Sequence, residues 1–367
     1  MVLQYKCPSC GADMVFKSET GLLTCESCGL TQQIEQMEKP DLTPKGEPDP
    51  NEIPVQEYSD YEDSTNYNTF EEGGAAKEYQ CNNCGAVLQT NDDTSATTCS
   101  FCGAAMVLSD RLSGSLAPNQ IIPFTISKEQ AQEAFKKWCK KGLLTPVGFM
   151  NADRIKNISG MYVPFWLYDL NGRGEVHATC TKVHHYTRGG YEYTETSYFD
   201  VYRKVDLNYN HIPADASEKM DDEMMDKLEP FQYEALKEFN TPYLAGYTAE
   251  KYNYTDKDMF PRLETRARDY VSSYIDGTLA GYSSTHFDHK WIDIRQRKAA
   301  YTLMPVWMIC YDYEHAEHNF YMNGQTGKIV GKPPLSKGKI TLWFFLIFLI
   351  ASGIFKAIGL LLGGGWL

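Results

Sequence analysis

The sequence predicts a multidomain protein with two small four-cysteine ribbons, a disordered acidic linker, an α+β body with an antiparallel sheet and one C-terminal transmembrane helix. Three observations support this: cysteine pairs at fixed spacing, an abrupt change in charge along the chain, and an uncharged apolar segment near the C-terminus. The 367 residues exceed one ordinary domain. The predicted units are ribbon 1 at 1–33, the linker at 34–78, ribbon 2 at 79–110, the body at 115–335 and the transmembrane helix at 340–362.

Eight of the 11 cysteines form four Cys-x-x-Cys pairs, each followed by glycine. Glycine lets the backbone turn tightly, so that the two thiolates of a pair converge on one ion. Two pairs complete a closed tetrahedral site, which leaves no position for a reactive water. We therefore predict one structural zinc ion in each of two zinc ribbons, with iron as the alternative metal. The eight predicted ligands are Cys7, Cys10, Cys25, Cys28, Cys81, Cys84, Cys99 and Cys102.

The N-terminus, MVLQYKCPSC, lacks the apolar run of a secretion signal, so we expect no signal peptide. In a reducing cytosol, paired cysteines bind metal in preference to forming disulfides. Three further cysteines, Cys139, Cys180 and Cys310, lie in a predicted helix or in predicted strands. We expect them to behave as small hydrophobic residues.

The acidic linker carries most of the net charge. Residues 31–79 hold 13 Asp and Glu against three Lys, which is −10 of the net −13. The same stretch is rich in proline and poor in aliphatic residues, so it cannot bury enough apolar surface to offset the loss of chain entropy. We predict that residues 34–78 are disordered and self-repelling, and that the ribbons sample a wide zone around the body.

The apolar segment near the C-terminus contains no charged residue over 340–355, and the apolar run continues beyond Lys356. It is long enough to cross a hydrocarbon core of about 30 Å. It has no polar face, which argues against a helix lying in the interface. Four lysines between 328 and 339 precede it, which predicts that the N-terminal side is cytosolic. We therefore expect a single-pass protein of the cell membrane with a cytoplasmic body.

Helices and strands are both indicated in the body. A capping-box pattern at 127–130 precedes apolar residues at helical spacing, which predicts a helix at about 128–141; further helices are expected around 224–228 and 263–274. Strands are predicted at 162–170, 175–186 and 191–207, the last two joined by a hairpin through Gly189-Gly190. Two similar segments, 164–172 and 305–324, are each interpreted as a buried strand that enters an Asn-Gly turn.

Two patterns resemble catalytic motifs but lack the required spacing, and a third is an incomplete metal site. The segment 324–328 has two residues between its glycines where a phosphate-binding loop has four, so we interpret it as a hairpin turn. The histidines in 315–318 are three apart where a zinc protease has them four apart on a helix, which favours a turn between strands. His286 and His289 would need a third ligand to form a metal site. An enzymatic site in the body would require a pocket, and the candidate residues are His177, His184 and His286.

The segments 161–169, 243–252, 303–311 and 323–331, together with the ribbons and the apolar helix, resemble a group of uncharacterised bacterial membrane-anchored zinc-ribbon proteins. Such proteins are labelled transcription factor IIB-type zinc ribbon proteins, or are named after the primosomal replication-restart helicase, through the ribbons alone. The resemblance implies a membrane-anchored metal protein. It does not imply a helicase motor, because the chain has no phosphate-binding loop.

The charge of the ribbons disfavours nucleic acid as a partner, because residues 79–110 contain three Asp and neither Lys nor Arg. No catalytic motif remains. We expect a non-enzymatic, membrane-tethered scaffold or regulatory protein that uses its zinc ribbons for protein–protein interaction. The alternatives are a membrane-attached nucleic-acid-binding protein, and an enzyme whose site lies in 115–335.

Overall fold

The computed structural model describes residues 2–37, 77–112, 117–149, 155–313 and 316–361. Most of the predicted linker, residues 38–76, therefore lies outside the described residues. Its two ends are described: Ile34–Gln36 forms a short 3-10 helix and Lys77–Gln80 a strand. Ile34, the first residue of the predicted linker, has its side chain buried in the hydrophobic core.

Eight short strands form the N-terminal part of the fold. They are β1 (Val2–Leu3), β2 (Met14–Lys17), β3 (Leu22–Cys25), β4 (Thr31–Gln32), β5 (Lys77–Gln80), β6 (Val87–Thr90), β7 (Thr94–Thr98) and β8 (Ala105–Leu108). The predicted hairpin of ribbon 1 is present as β2 paired with β3. Met14 and Phe16 alternate with more exposed neighbours along β2 and are buried, as expected for a strand with one covered face.

The rest of the chain contains eight strands and four helices within the described residues. They are β9 (Gln120–Ile121), α1 (Lys128–Cys139), β10 (Ile155–Arg188), β11 (Tyr191–Asp215), α2 (Asp222–Leu228), β12 (Lys237–Glu238), β13 (Thr248–Glu250), α3 (Asp256–Thr278), β14 (Ser284–Tyr313), β15 (Ala316–Asn323), β16 (Ile329–Val330) and α4 (Lys337–Leu361). The three helices predicted in the body are confirmed. At the start of α1, the Ser127 side chain accepts from the Gln130 backbone N–H, and the Gln130 side chain accepts from that of Ser127.

The main sheet has 11 strands, with β10 and β14 paired along most of their length. Most pairings are antiparallel, but β13 lies parallel to β10 and β9 lies parallel to β14. The sheet is therefore mixed, and the prediction of an antiparallel sheet is only partly right. Parallel neighbours require long connections, and the hydrophobic pattern of such short strands does not show which strand they will join.

The first of the two predicted Asn-Gly turns is wrong, because β10 runs unbroken through Asn171 and Gly172. A Cβ atom at Gly172 would lie 2.5 Å from Cγ2 of Val271 in α3. The glycine therefore permits close packing of the helix on the sheet and does not make a turn. The second turn is confirmed: β15 ends at Asn323, whose side-chain oxygen accepts from the backbone N–H groups of the next turn.

The two similar segments of the body begin close together on the paired strands β10 and β14 and then run in opposite directions. Tyr162 of β10 lies opposite Pro305 of β14, and Pro164 lies opposite Leu303. The sequence similarity thus reflects two antiparallel strands with similar environments at the centre of the fold.

A two-stranded arm, defined here as residues 182–200, extends from the sheet. The last pair between β10 and β14 is Thr181 with Ser284, and beyond it β10 and β11 continue to the turn at Gly189 and Gly190. Every residue of the arm is exposed, so neither of its faces is covered. At about 3.3 Å per residue, the 34 residues of β10 extend over roughly 110 Å along the strand.

Helix α4 is long and apolar enough to cross a membrane by its length and composition. The candidate span covers 22 residues, Lys337–Ile358, and none of its apolar window is buried in the fold.

Candidate metal centres

The structure brings the eight predicted ligands into two groups of four, and each group could hold a metal ion. Within each group, all four Sγ atoms lie within 4.8 Å of one another. The Sγ atoms that lie in contact belong to different Cys-x-x-Cys pairs. In ribbon 1 the distances Cys7–Cys28 and Cys10–Cys25 are both 3.5 Å; in ribbon 2 Cys81–Cys102 is 3.7 Å and Cys84–Cys99 is 3.8 Å. A tetrahedral ion with sulfur ligands at about 2.3 Å would separate them by about 3.8 Å. The donor set and its spacing therefore fit one closed tetrahedral ion in each ribbon.

The glycine after each cysteine pair has the backbone conformation that the sequence predicts. These four glycines have φ between 73° and 76°, where a side chain would be strained. In each turn the glycine N–H donates to the carbonyl of the first cysteine over 2.8 or 2.9 Å. The four glycines are Gly11, Gly29, Gly85 and Gly103. The four turns therefore present their thiols in the same way.

In each group of four cysteines, two side chains are buried and two are exposed. The first cysteine of every pair is buried and the second is exposed. Backbone N–H groups, first that of Cys28, lower the pKa of Cys25 to about 7. Burial acts to raise the pKa of Cys81, but backbone N–H groups outweigh it and lower that pKa to about 6. One buried thiol in each ribbon therefore favours the thiolate form that binds metal.

Two amide side chains point at sulfur atoms of ribbon 2, and the sequence analysis did not identify them. Gln4 of ribbon 1 donates to the Sγ atom of Cys81 over 3.7 Å, and Asn83 donates to that of Cys102 over 3.6 Å. Such contacts orient metal ligands and stabilise the thiolate charge. The only sequence signal for Asn83 is its place inside a Cys-x-x-Cys pair, and Gln4 has none.

Ribbon 1 packs against the body. The backbone N–H of Phe16 donates to the carbonyl of Ala245 over 2.9 Å, and its ring meets that of Tyr243 edge to face at 5.4 Å. Next to this contact, Glu35 accepts from Lys237 over 2.6 Å and from the Tyr243 hydroxyl over 3.1 Å. The interface is thus an apolar contact bordered by polar ones.

Ribbon 2 belongs to the main sheet. Its strand β7 pairs with β13 of the body, and Lys251 donates its backbone N–H to the carbonyl of Asp93 over 2.8 Å. The carboxylate of Asp93 also lies 3.0 Å from Nζ of Lys219 and accepts from Asn253 over 2.9 Å. Residues 79–110 therefore do not fold apart from the body.

The two ribbons also contact each other. Strand β1 of ribbon 1 pairs with β8 of ribbon 2, and Lys6 donates to Asn83 over 2.8 Å. The expectation that the ribbons sample a wide zone is therefore not met by the described residues. The segment 243–252, which we call the docking segment, holds residues that contact both ribbons.

The three histidines proposed for an enzymatic site lie at the surface of the described fold. His177, His184 and His286 are all exposed. A cavity of about 920 Å³ lies elsewhere, between the sheet and the start of α3, and none of the three lines it. Two of its arginines are paired with aspartates, Arg173 with Asp206 and Arg295 with Asp293. Within the described part of the chain, neither His286 nor His289 joins a group of three metal-binding side chains.

The other three cysteines lie in the elements expected for them. Cys139 and Cys180 are buried and Cys310 is half-buried. Burial raises the pKa of Cys139 to about 11, which keeps this thiol protonated.

Comparison with known proteins gives one informative relative. Over an alignment of 369 residues that covers 100% of both chains, the sequence is 54% identical to a Bacillus subtilis (strain 168) protein described as "Uncharacterized protein YdjG". No protein-family model matches the chain, so the class of ribbon remains a prediction. No solved structure matches it.

Proposed function

We propose that this chain, which belongs to the family of the Bacillus subtilis protein YdjG, is a non-enzymatic scaffold or regulatory protein. In this proposal α4 holds the protein on the cell membrane, and the zinc ribbons recruit a protein partner. The observation that carries the proposal is an exposed aromatic side chain, Phe101, in a metal-binding turn of ribbon 2. Its exposed fraction is 75%.

Phe101 lies between the metal ligands Cys99 and Cys102, so a bound ion would fix the backbone on both sides of it. An aromatic side chain presented on a rigid turn loses little conformational entropy when a partner covers it. Val87 of the same ribbon is 55% exposed, which adds apolar surface. Residues 79–110 contain no Lys or Arg, and this composition favours a protein partner over nucleic acid.

The closed donor sets support a structural role for the metal. Four thiolates fill each tetrahedral site, and zinc held in this way has no open position for substrate or water. Zinc is favoured over iron because nothing else in the donor sets indicates redox chemistry. The metal would then stabilise the surface that carries Phe101 without taking part in a reaction.

The proposed orientation places the ribbons and the body in the cytosol. Lys328, Lys332, Lys337 and Lys339 precede or begin α4, and positive residues favour the cytosolic side. Eight thiols that must stay reduced to bind metal are compatible with that compartment.

The test compares full-length tagged protein with two variants, purified in detergent under reducing conditions. Phe101→Ser removes the exposed aromatic ring of ribbon 2. Tyr198→Ser is the matched control, because Tyr198 is 74% exposed but lies on the arm. Metal content and co-purifying macromolecules are measured by mass spectrometry.

We expect about two zinc ions per chain in all three proteins. A near-stoichiometric protein partner should accompany the unchanged protein and the Tyr198 variant, and should be lost from the Phe101 variant. A partner that remains bound to the Phe101 variant would contradict the role of ribbon 2. Nucleic acid retained through a high-salt wash would favour the nucleic-acid alternative.

A further inference from the structure

A loop of the body lies against the beginning of α4. This segment, residues 142–149, is called the base loop here, and it follows the end of α1. The backbone N–H of Ser336 donates to the carbonyl of Leu144 over 2.8 Å, and Nζ of Lys339 donates to the carbonyl of Thr145 over 2.7 Å. Both bonds join the loop to the residues at which α4 starts.

The base loop has a fixed conformation. The Thr145 side chain is buried and its backbone N–H bonds to the carbonyl of Gly142, while Phe149 is buried against Tyr311 at a ring distance of 4.6 Å. The Tyr311 hydroxyl donates to the carbonyl of Phe149 over 2.8 Å. The loop is therefore held by the body, and the direction of its remaining side chains is set.

Those remaining side chains are large, apolar and exposed. Leu143 is 61% exposed and Val147 is 66% exposed; Leu335, just before α4, is 62% exposed. Scattered exposed apolar residues are common, but these three belong to two segments that are hydrogen-bonded to each other at the start of a helix whose own apolar residues are exposed. Exposed apolar side chains therefore occur on α4, just before it, and on the loop that is bonded to its start.

Three lysines lie within a few residues of these apolar side chains in the chain. Lys140 and Lys141 follow the last turn of α1, and Lys337 begins α4; all three are exposed. Two acids of neighbouring elements are paired with other lysines, Glu133 with Lys137 over 2.8 Å and Glu223 with Lys332 over 3.2 Å. An apolar tip bordered by cations is the arrangement that binds the surface of an anionic bilayer.

We propose that the base loop and the start of α4 form one membrane-interface anchor. Leu143, Val147 and Leu335 enter the boundary between headgroups and acyl chains, while the neighbouring lysines bind the headgroups of anionic phospholipids. The inference rests on the proposed membrane attachment through α4. Its consequence is that two points of contact fix the orientation of the body on the bilayer.

The geometry then sets where the other surfaces lie. The base loop contacts the last part of β14, and the arm lies at the opposite end of β10 and β14, which pair antiparallel. If the base loop is anchored on the bilayer, the arm therefore points away from the bilayer, and the ribbons are held at one orientation to it.

The test uses full-length protein in nanodiscs of phosphatidylcholine with phosphatidylglycerol. The photoreactive residue benzoylphenylalanine replaces Leu143, Phe345 in α4, or Tyr198 on the arm, one position at a time, and cross-linked lipid is measured by mass spectrometry. We expect lipid adducts at positions 143 and 345 and none at 198. Two metal ions per chain in each variant would verify that the fold is intact.

The outcomes separate the two proposals. Adducts at 345 without adducts at 143 would overturn the interface anchor and leave the membrane helix in place. If position 345 also gives none, the membrane attachment itself is wrong, and the anchor with it.

Charge reversal tests the lysines. Lys140→Glu with Lys141→Glu should lower the adduct yield at 143 several-fold in discs containing phosphatidylglycerol, because each lysine near an anionic surface favours binding. The control is Lys182→Glu, in the arm, combined with Lys204→Glu, beyond it, and this double variant should leave the yield unchanged. An equal yield in the two double variants would overturn the assignment of Lys140 and Lys141.

Discussion

At the residue scale, the two four-cysteine groups that could hold metal follow directly from the sequence because spacing determines their geometry. Two thiols three residues apart on a tight turn must point to one place, and the glycine that follows supplies the conformation. The contacts of Gln4 and Asn83 with sulfur could not be predicted in the same way. The Gln4 contact depends on how the two ribbons pack together, and the Asn83 contact depends on the direction of its side chain within ribbon 2.

Loss of one ligand should remove one ion. In Cys25→Ser, a buried ligand of ribbon 1 is lost, and we expect metal content to fall from two ions to one per chain. Structural zinc contributes roughly 10 kcal/mol or more to folding, so ribbon 1 should also lose its structure. Cys310→Ser is the control and should retain two ions. Metal analysis after gel filtration measures this, and two ions in the Cys25 variant would contradict the assignment.

Asp215 gives a prediction that depends on pH. Burial raises its pKa to about 7, whereas an unfolded aspartate titrates at about 4. Between these values the folded chain holds a proton that the unfolded chain has lost, so this group makes stability fall as pH rises, by roughly 1.4 kcal/mol per pH unit.

Asp215→Asn removes that dependence. We measure the free energy of unfolding with denaturant in detergent. From pH 4 to 7, we expect the value for the variant to rise relative to the value for the unchanged protein. Asp200→Asn, at an exposed position of the arm, is the control. The difference in free energy of unfolding between this variant and the unchanged protein should stay constant with pH. A constant difference between Asp215→Asn and the unchanged protein would show that Asp215 does not titrate as described.

At the scale of elements, helices were easier to predict than strand connections. The capping pattern at Ser127 and the apolar spacing place α1 to within two residues of its observed end. The break expected at Asn171-Gly172 is wrong because the same dipeptide can make a turn or allow a helix to approach a strand. Only the position of α3 distinguishes these two uses, and that position is a tertiary property.

Two glycines of opposite role test this interpretation. Gly172→Ala places a Cβ atom against Val271, and we expect it to lower the free energy of unfolding by about 1–3 kcal/mol. Gly277→Ala, in α3, meets no atom within 4 Å and should raise it by about 0.5–1 kcal/mol. Thermal unfolding of both variants measures the difference. Similar effects of the two substitutions would contradict close packing of α3 on β10.

At the scale of the whole molecule, composition predicted the parts but not their arrangement. The acidic stretch between the ribbons indicated separate units on a tether. The structure instead places both ribbons on the docking segment and on each other. Sequence shows that Tyr243 and Phe16 are apolar; it does not show that they meet, because their contact spans more than 200 residues of chain.

The arrangement gives the proposed scaffold a specific form. Ribbons fixed on the body present Phe101 at a constant position, whereas ribbons on a free tether would reach partners at many positions. The family resemblance noted at 243–252 also gains a physical meaning, since this segment contacts both ribbons.

Hydrogen exchange on the full-length protein in nanodiscs tests this arrangement most directly. The backbone N–H of Phe16 bonds to Ala245 and so reports docking. Other amides of the hairpin bond within ribbon 1 and report its fold; Met14 bonds to Tyr5 and Cys25 bonds to Leu30. Our account predicts slow exchange at both. Fast exchange at Phe16, together with slow exchange inside the hairpin, would mean that ribbon 1 is folded but detached, and would contradict the account.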